Sequence, residues 1–165
     1  MPAAGELNRA SDIRDAAGLF VRKLGHESVI SSTTLQDDDD LFLAVEANTA
    51  YFLQGALAVD GASAADIKIG WSFPTGATLE YGHMGPATTI TSDVGNTVDN
   101  RRIIQTDVLA IGCNGAGNAI YVPLWGQLII AGTAGTLRLR WAQFVSSATA
   151  SRMLAGSFLH AQKMA

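Results

Sequence analysis

The sequence predicts an all-β chain: an antiparallel jelly-roll sandwich of eight to nine short strands, preceded by one short amphipathic helix. Three observations carry this expectation. After His26 the apolar residues follow a period of two, the spacing of a strand with one buried face. Gly, Asn and Asp clusters punctuate the runs at short intervals, and no helical period separates them, so crossover helices and a parallel sheet are not expected. The 165 residues suit one domain, and 48% apolar residues are enough to build a sizeable core.

The N-terminal part reads differently. Ser11 is a suitable helix N-cap, and Asp12 places a negative charge in the first turn. Ile13, Ala16, Ala17, Phe20, Val21 and Leu24 follow helical spacing, Arg22 and Lys23 fall in the last turn, and Gly25 supplies a stop. Residues 1–25 are therefore expected to form an arm and helix, and residues 26–165 the sandwich. Ile13, Phe20, Val21 and Leu24 are the candidate anchoring residues of that helix.

The strands follow in order. Leu41, Leu43, Val45 and Ala47 share one face until Asn48 breaks the run, and Tyr51, Leu53, Leu57 and Val59 line the next. Asp60-Gly61 is a turn dipeptide. Ile67, Ile69, Trp71 and Phe73 alternate with polar or small residues up to Pro74, and a shorter strand lies around residues 77–81. The polar stretch 82–100 is longer than an ordinary connection. Strands resume at 103–111 and 119–130, where Pro123 or Gly126 is expected to mark an edge or a bulge. Leu137, Leu139 and Trp141 alternate with Arg138 and Arg140, and residues 153–160 form the closing strand.

Charge is sparse, at 16% of residues against about 25% in a typical soluble domain. No stretch is apolar for long enough to cross a bilayer, no secretory leader pattern opens the chain, and no basic cluster forms a nucleic-acid footprint. Between Glu27 and Asp66 every charge is acidic, including Asp37, Asp38, Asp39 and Asp40; from Ala134 onward every charge is basic. Two such segments can meet within a fold or between copies, so Asp37–Asp40, Arg138 and Arg140 are candidate inter-subunit contacts.

Catalytic and metal patterns are scarce. The aspartate run lacks the D-x-D-x-D-G spacing of a calcium loop, and successive residues of an extended chain point opposite ways, so a solvated turn or a basic neighbour is the simpler reading. His26, His83 and His160 are isolated, and Cys113 has no acid or histidine nearby in sequence. GCNGAGN (112–118) reads as a hairpin loop because no Lys-Ser/Thr follows it. A depolymerase would need convergent carboxylates, for which Asp93, Asp99 and Asp107 are the spare candidates. No enzyme activity, cofactor or metal is expected. Trp71 and Trp141 are expected in the core; Tyr81, Tyr121 and Trp125 are candidates for exposure, and Tyr81 and Trp125 for stacking on a host glycan.

From Glu27 onward the chain resembles a family of small β-sandwich virion proteins of tailed bacteriophages, especially phages of actinobacteria. The residues that carry the resemblance are ESVISSTTLQDDDDL (27–41), ANTAY (47–51), ADIK (65–68), PTGA (74–77), AGTLRLRWAQ (134–143) and AGSFL (155–159). RASDI (9–13) is similar to a short N-terminal element of phage structural proteins. The resemblance implies a non-enzymatic homotrimer on the virion surface, partnered by capsid or tail proteins. It is expected as a head decoration, or alternatively as a minor tail protein recognising a host glycan. Neither nucleic acid nor membrane insertion enters that reading.

Overall fold

The computed structural model describes residues 18–89, 98–99, 102–104 and 106–164. In chain order its strands are β1 (Leu19–Arg22), β2 (Glu27–Val29), β3 (Gln36–Val45), β4 (Ala50–Asp60), β5 (Ile67–Ser72), β6 (Thr78–His83), β7 (Gly85–Pro86), β8 (Val98–Asp99), β9 (Arg102–Ile104), β10 (Leu109–Ile111), β11 (Ile120–Ile129), β12 (Gly135–Gln143), β13 (Ser151–Met153) and β14 (Phe158–Lys163). Every pairing is antiparallel. The described residues contain no helix.

Two sheets enclose the core. The larger runs β1-β14-β4-β11-β6-β9, with β13 and β2 added at one end of β4; the smaller runs β10-β5-β12-β3. Partners are nested along the chain: β3 pairs with β12, β4 with β11, β5 with β10, and β6 with β9. A long hairpin centred between β6 and β9 has thus been folded over, its paired strands divided between the sheets.

Alternation decides which side chains point inward. Tyr51, Leu53, Leu57, Val122, Leu124, Leu128 and Leu79 from the larger sheet meet Leu41, Leu43, Ile67, Ile69, Leu137, Leu139 and Trp141 from the smaller. Asn48 takes a positive φ of 54° in the tight turn between β3 and β4, a conformation asparagine tolerates better than most residues.

The structure corrects four expectations. The segment expected as the end of a helix is strand β1, with Leu19 and Val21 leaning on the core and Phe20 and Arg22 facing outward. Its four residues satisfy a period of two as well as one of 3.6, and the ladder to β14 offers hydrogen bonds that an isolated turn of helix lacks. The earlier part of that expected helix, including Ile13, lies outside the described residues. Because β1 pairs with β14, residues 19–22 are part of the larger sheet.

Pro123 and Gly126 mark neither an edge nor a bulge, since β11 is central and pairs in unbroken register with β4. Proline is accommodated because the assigned β6 ladder stops at Leu124 and His83; beyond it, the Pro123 carbonyl accepts only from the Met84 N–H, at 3.0 Å. Gly126 lies under β6, where a Cβ would sit 2.6 Å from the Tyr81 Cα and collide with the Glu80 carbonyl. This close approach lets Tyr81 meet Trp71 of the opposite sheet edge-on, with centroids 5.8 Å apart. Gly126→Ala is therefore expected to destabilise the fold by about 1–3 kcal/mol, read as a lowered thermal midpoint.

The GCNGAGN segment joins β10 of the smaller sheet to β11 of the larger, so it is a crossover rather than a hairpin loop. The expected strands at 103–111 and 153–160 are each divided in two. The second division falls at the Leu154–Ser157 turn, where Gly156 takes a φ of 93°.

Candidate functional site

The two outer faces of the molecule have opposite chemistry. On the smaller sheet the outward residues of β12 and β3 form ion pairs. Arg140 Nε lies 2.9 Å from Asp37 Oδ1, Arg138 Nη1 lies 4.0 Å from Asp37 Oδ2, and the Arg138 guanidinium covers the Phe42 ring at 4.5 Å. The acidic and basic segments of the sequence thus meet here inside one chain.

The rest of the aspartate run is used at a kink. The register between β3 and β12 shifts between Arg138 and Arg140, and β3 bulges at Asp38. The Asp38 carboxylate turns inward and is fully buried; its Oδ1 accepts from the Asp40 and Leu41 N–H groups at 3.0 and 2.9 Å. The same oxygen accepts from Lys23 Nζ at 2.9 Å. Lys23 is itself buried, donates to Glu27 Oε2 at 2.7 Å and lies 3.8 Å from Asp40 Oδ2.

A lysine ammonium therefore occupies the place among these carboxylates where a metal ion would have to sit. Among the described residues no group of three His, Cys, Asp or Glu is arranged to hold a metal. Burial alone lowers the Lys23 pKa, but the hydrogen bonds and charges of Glu27 and Asp38 outweigh it, and the net shift is upward. This cluster ties the end of β1 to β3 across the gap between the sheets; Asp39 is exposed, and its backbone N–H donates to Glu27 Oε2 at 3.3 Å.

The outer face of the larger sheet carries aromatic rings and amides instead. Cross-strand register places Phe20, His160, Gln54, Trp125 and Gly82 in one row across β1, β14, β4, β11 and β6. The flanking rows bring Phe158, Ala56 and Pro123 to one side and Gln162, Phe52, Gln127, Glu80 and Ile104 to the other. Phe20 stacks on Phe158 with centroids 5.8 Å apart, and Gln54 Nε2 hydrogen-bonds His160 Nδ1 at 2.9 Å. The indole of Trp125 lies over Gly82, where a Cβ would touch its ring carbons at 3.4 Å, and the side chain remains 37% exposed. Phe20 is 60% and Tyr121 70% exposed. At the end of this face a pocket of about 280 Å³ is lined by Met84, Pro86, Ile120, Tyr121 and Pro123, among others.

The remaining candidates divide. Val21 packs against the core, whereas Leu24 is exposed just beyond β1. Tyr81 points inward and is 2% exposed, which removes it as a surface contact for a sugar; Trp125 faces out as expected. Tyr81 occupies an inward position of β6, in register with Gly126. Cys113 is buried and its thiol is pushed up to about 12, first by burial and then by the charges of Asp66 and Asp60, so it is no nucleophile near neutral pH.

Sequence reasoning missed Phe52, Phe158 and Gln162 as members of the outer face, and Lys23 as a buried cation. The outward positions of β4, β11 and β14 each include an aromatic residue and an amide, which is the signal available in advance. No protein-family model matches the chain, and no curated protein matches it.

Proposed function

We propose that this chain is a non-enzymatic structural protein of a tailed-bacteriophage virion. It is a surface-exposed, homotrimeric decoration protein docked on the particle, on the capsid in preference to the tail. The nested strand pairing supports the jelly roll, the finer form of sandwich expected from the number of strands.

The observation that carries the reading is the contrast between the two outer faces. One is ion-paired and suited to water; the other exposes Phe20, Phe52, Trp125, Tyr121 and Ile129 on a broad sheet. Several large apolar side chains exposed on one sheet face, with amides between them, support a surface that meets another protein. This is the docking side, and the Phe20 and Leu24 candidates for anchoring lie on or beside it.

Light scattering of the purified protein is expected to give three times the chain mass, and quantitative mass spectrometry of purified particles a copy number that matches an icosahedral shell. Absence from the particle, or a monomeric mass at high concentration, overturns the reading. A copy number matching a single vertex or tail moves the protein to the tail.

One observation favours a second reading, a tail-tip module that binds a host glycan. Trp125 presents its indole beside the amides Gln54 and Gln127, the pairing of stacking surface and hydrogen-bonding groups that a sugar ring requires. Loss of host-cell binding in Trp125→Ala, with the fold intact, is the outcome that selects it.

A further inference from the structure

We propose that the buried Lys23–Asp38 pair is the precursor of an intramolecular isopeptide bond, which the folded chain forms on itself by joining Lys23 Nζ to the side-chain carboxyl carbon of Asp38. It is a single self-modification rather than a turnover, and it stands or falls separately from the virion role. Three observations lead to it.

The first is placement. Lys23 follows β1 and Asp38 lies at the bulge of β3, and both are closed to solvent, at 1% and 0% exposure. Nζ lies 2.9 Å from Oδ1, so an amine and a carboxyl group meet with water excluded. Groups held in this way react as if at very high concentration, and a dry site disfavours hydrolysis back to the free acid.

The second is the difference between the two carboxylate oxygens. Oδ1 accepts from the Asp40 and Leu41 N–H groups at 3.0 and 2.9 Å, as well as from Lys23. Two backbone donors on one oxygen are the arrangement that stabilises the negative oxygen of a tetrahedral intermediate. Oδ2 is buried and has no hydrogen-bond partner among the described residues, a costly position for such an atom. One oxygen is thus held in place, and nothing holds the other.

The third is a proton acceptor. Glu27 Oε2 accepts from Nζ at 2.7 Å, and Glu27 is fixed there by Gln36 Nε2 on its other oxygen and by the Asp39 N–H. Asp40 Oδ2, at 3.8 Å, is the remaining carboxylate oxygen paired with the nitrogen. In the reaction Nζ gives up two protons, the first by way of Glu27, and its lone pair attacks the Asp38 carboxyl carbon. The bond from that carbon to Oδ2 breaks, and Oδ2 leaves with both protons as water. Ammonium and carboxylate thereby become a neutral amide and water, and no further reactant is consumed.

Despite its burial, Lys23 has its pKa raised by Glu27 and Asp38, so the reactive amine is scarce and conversion is slow. The freshly folded chain therefore holds the ion pair, and the stability and alkaline behaviour due to that pair belong to chains of full mass.

The test uses the full chain, kept folded for weeks near neutral pH. Intact mass spectrometry is expected to show a growing form lighter by one water. In a tryptic digest of that form, cleavage after Lys23 is expected to be lost, and fragmentation to place the link between Lys23 and Asp38. Chain kept unfolded in guanidinium chloride is expected to retain its full mass. Glu27→Gln is expected to convert about a hundredfold more slowly than the parent, and conversion at the parent's rate overturns the role of Glu27. Full mass after the incubation overturns the proposal. So does a lighter form that trypsin still cuts after Lys23, since its water was then lost in an imide elsewhere.

Discussion

Trp141→Ala is expected to lower the stability of the fold by about 3–5 kcal/mol, the usual cost of emptying a buried tryptophan site. Trp141 is fully buried at the middle of the smaller sheet, in register with Ile69 of β5 on one side and Gln36 of β3 on the other. Its ring fills the space between the sheets, and neighbours held in two ladders cannot collapse into the cavity. The indole nitrogen has no hydrogen-bond acceptor among the described residues, so the loss is one of packing. Trp141→Phe is accordingly expected to cost clearly less than Trp141→Ala. Urea unfolding of both variants checks the pair; a near-neutral alanine variant would place the residue outside the core.

The second large effect belongs to Lys23. Lys23→Met keeps much of the side-chain volume but leaves the Asp38 carboxylate buried and without its cation, for an expected loss of about 3–5 kcal/mol. Asp38→Asn in the same background retains an oxygen for the Asp40 and Leu41 N–H groups while removing the stranded charge, and is expected to restore a substantial part of the loss. If the double variant is as unstable as the single one, packing rather than charge holds β1 in place.

The alkaline limb carries the same information. The folded-state pKa of Lys23 is raised above 10.5, so the stability due to its pairing is whole below the unfolded value and is lost as pH climbs through the folded one. Unfolding midpoints of the parent are expected to fall in strong alkali, and those of Lys23→Met to fall less.

How much of this was legible in the sequence depends on what each inference required. The strands β4, β5 and β12 were visible because Tyr51, Leu53 and Leu57, then Ile67, Ile69 and Trp71, then Leu137, Leu139 and Trp141 alternate over enough residues to exclude a helix. Strand β1 was not: Phe20, Val21 and Leu24 also fit helical spacing, and only the pairing with β14, over a hundred residues away, settles the competition. Tyr81 shows the same limit. Its type suits a surface contact, but the choice of inward face follows from the register of β6 on β11 and from the room left by Gly126.

The outer face was the least legible element. Phe20, Phe52, Trp125 and Phe158 come from four separated segments, and their meeting depends on strand order, which alternation does not encode. The acidic run was conspicuous in sequence, but its partner in the interior, Lys23, sat in a segment assigned to another kind of element.

The nested pairing also has a bearing on how the chain is made. Strand β3 cannot complete its ladder until β12 has left the ribosome, close to a hundred residues later, and β4 waits about seventy residues for β11. Contacts of such long sequence separation place folding on the slow, millisecond-to-second end of the range for small domains. During synthesis the Leu41–Val45 and Tyr51–Val59 segments emerge as unpaired, apolar strands, open to pairing with the same segments of neighbouring nascent chains. The four aspartates at 37–40, next to the first of these strands, carry like charges that oppose such pairing while the strand waits for its partner.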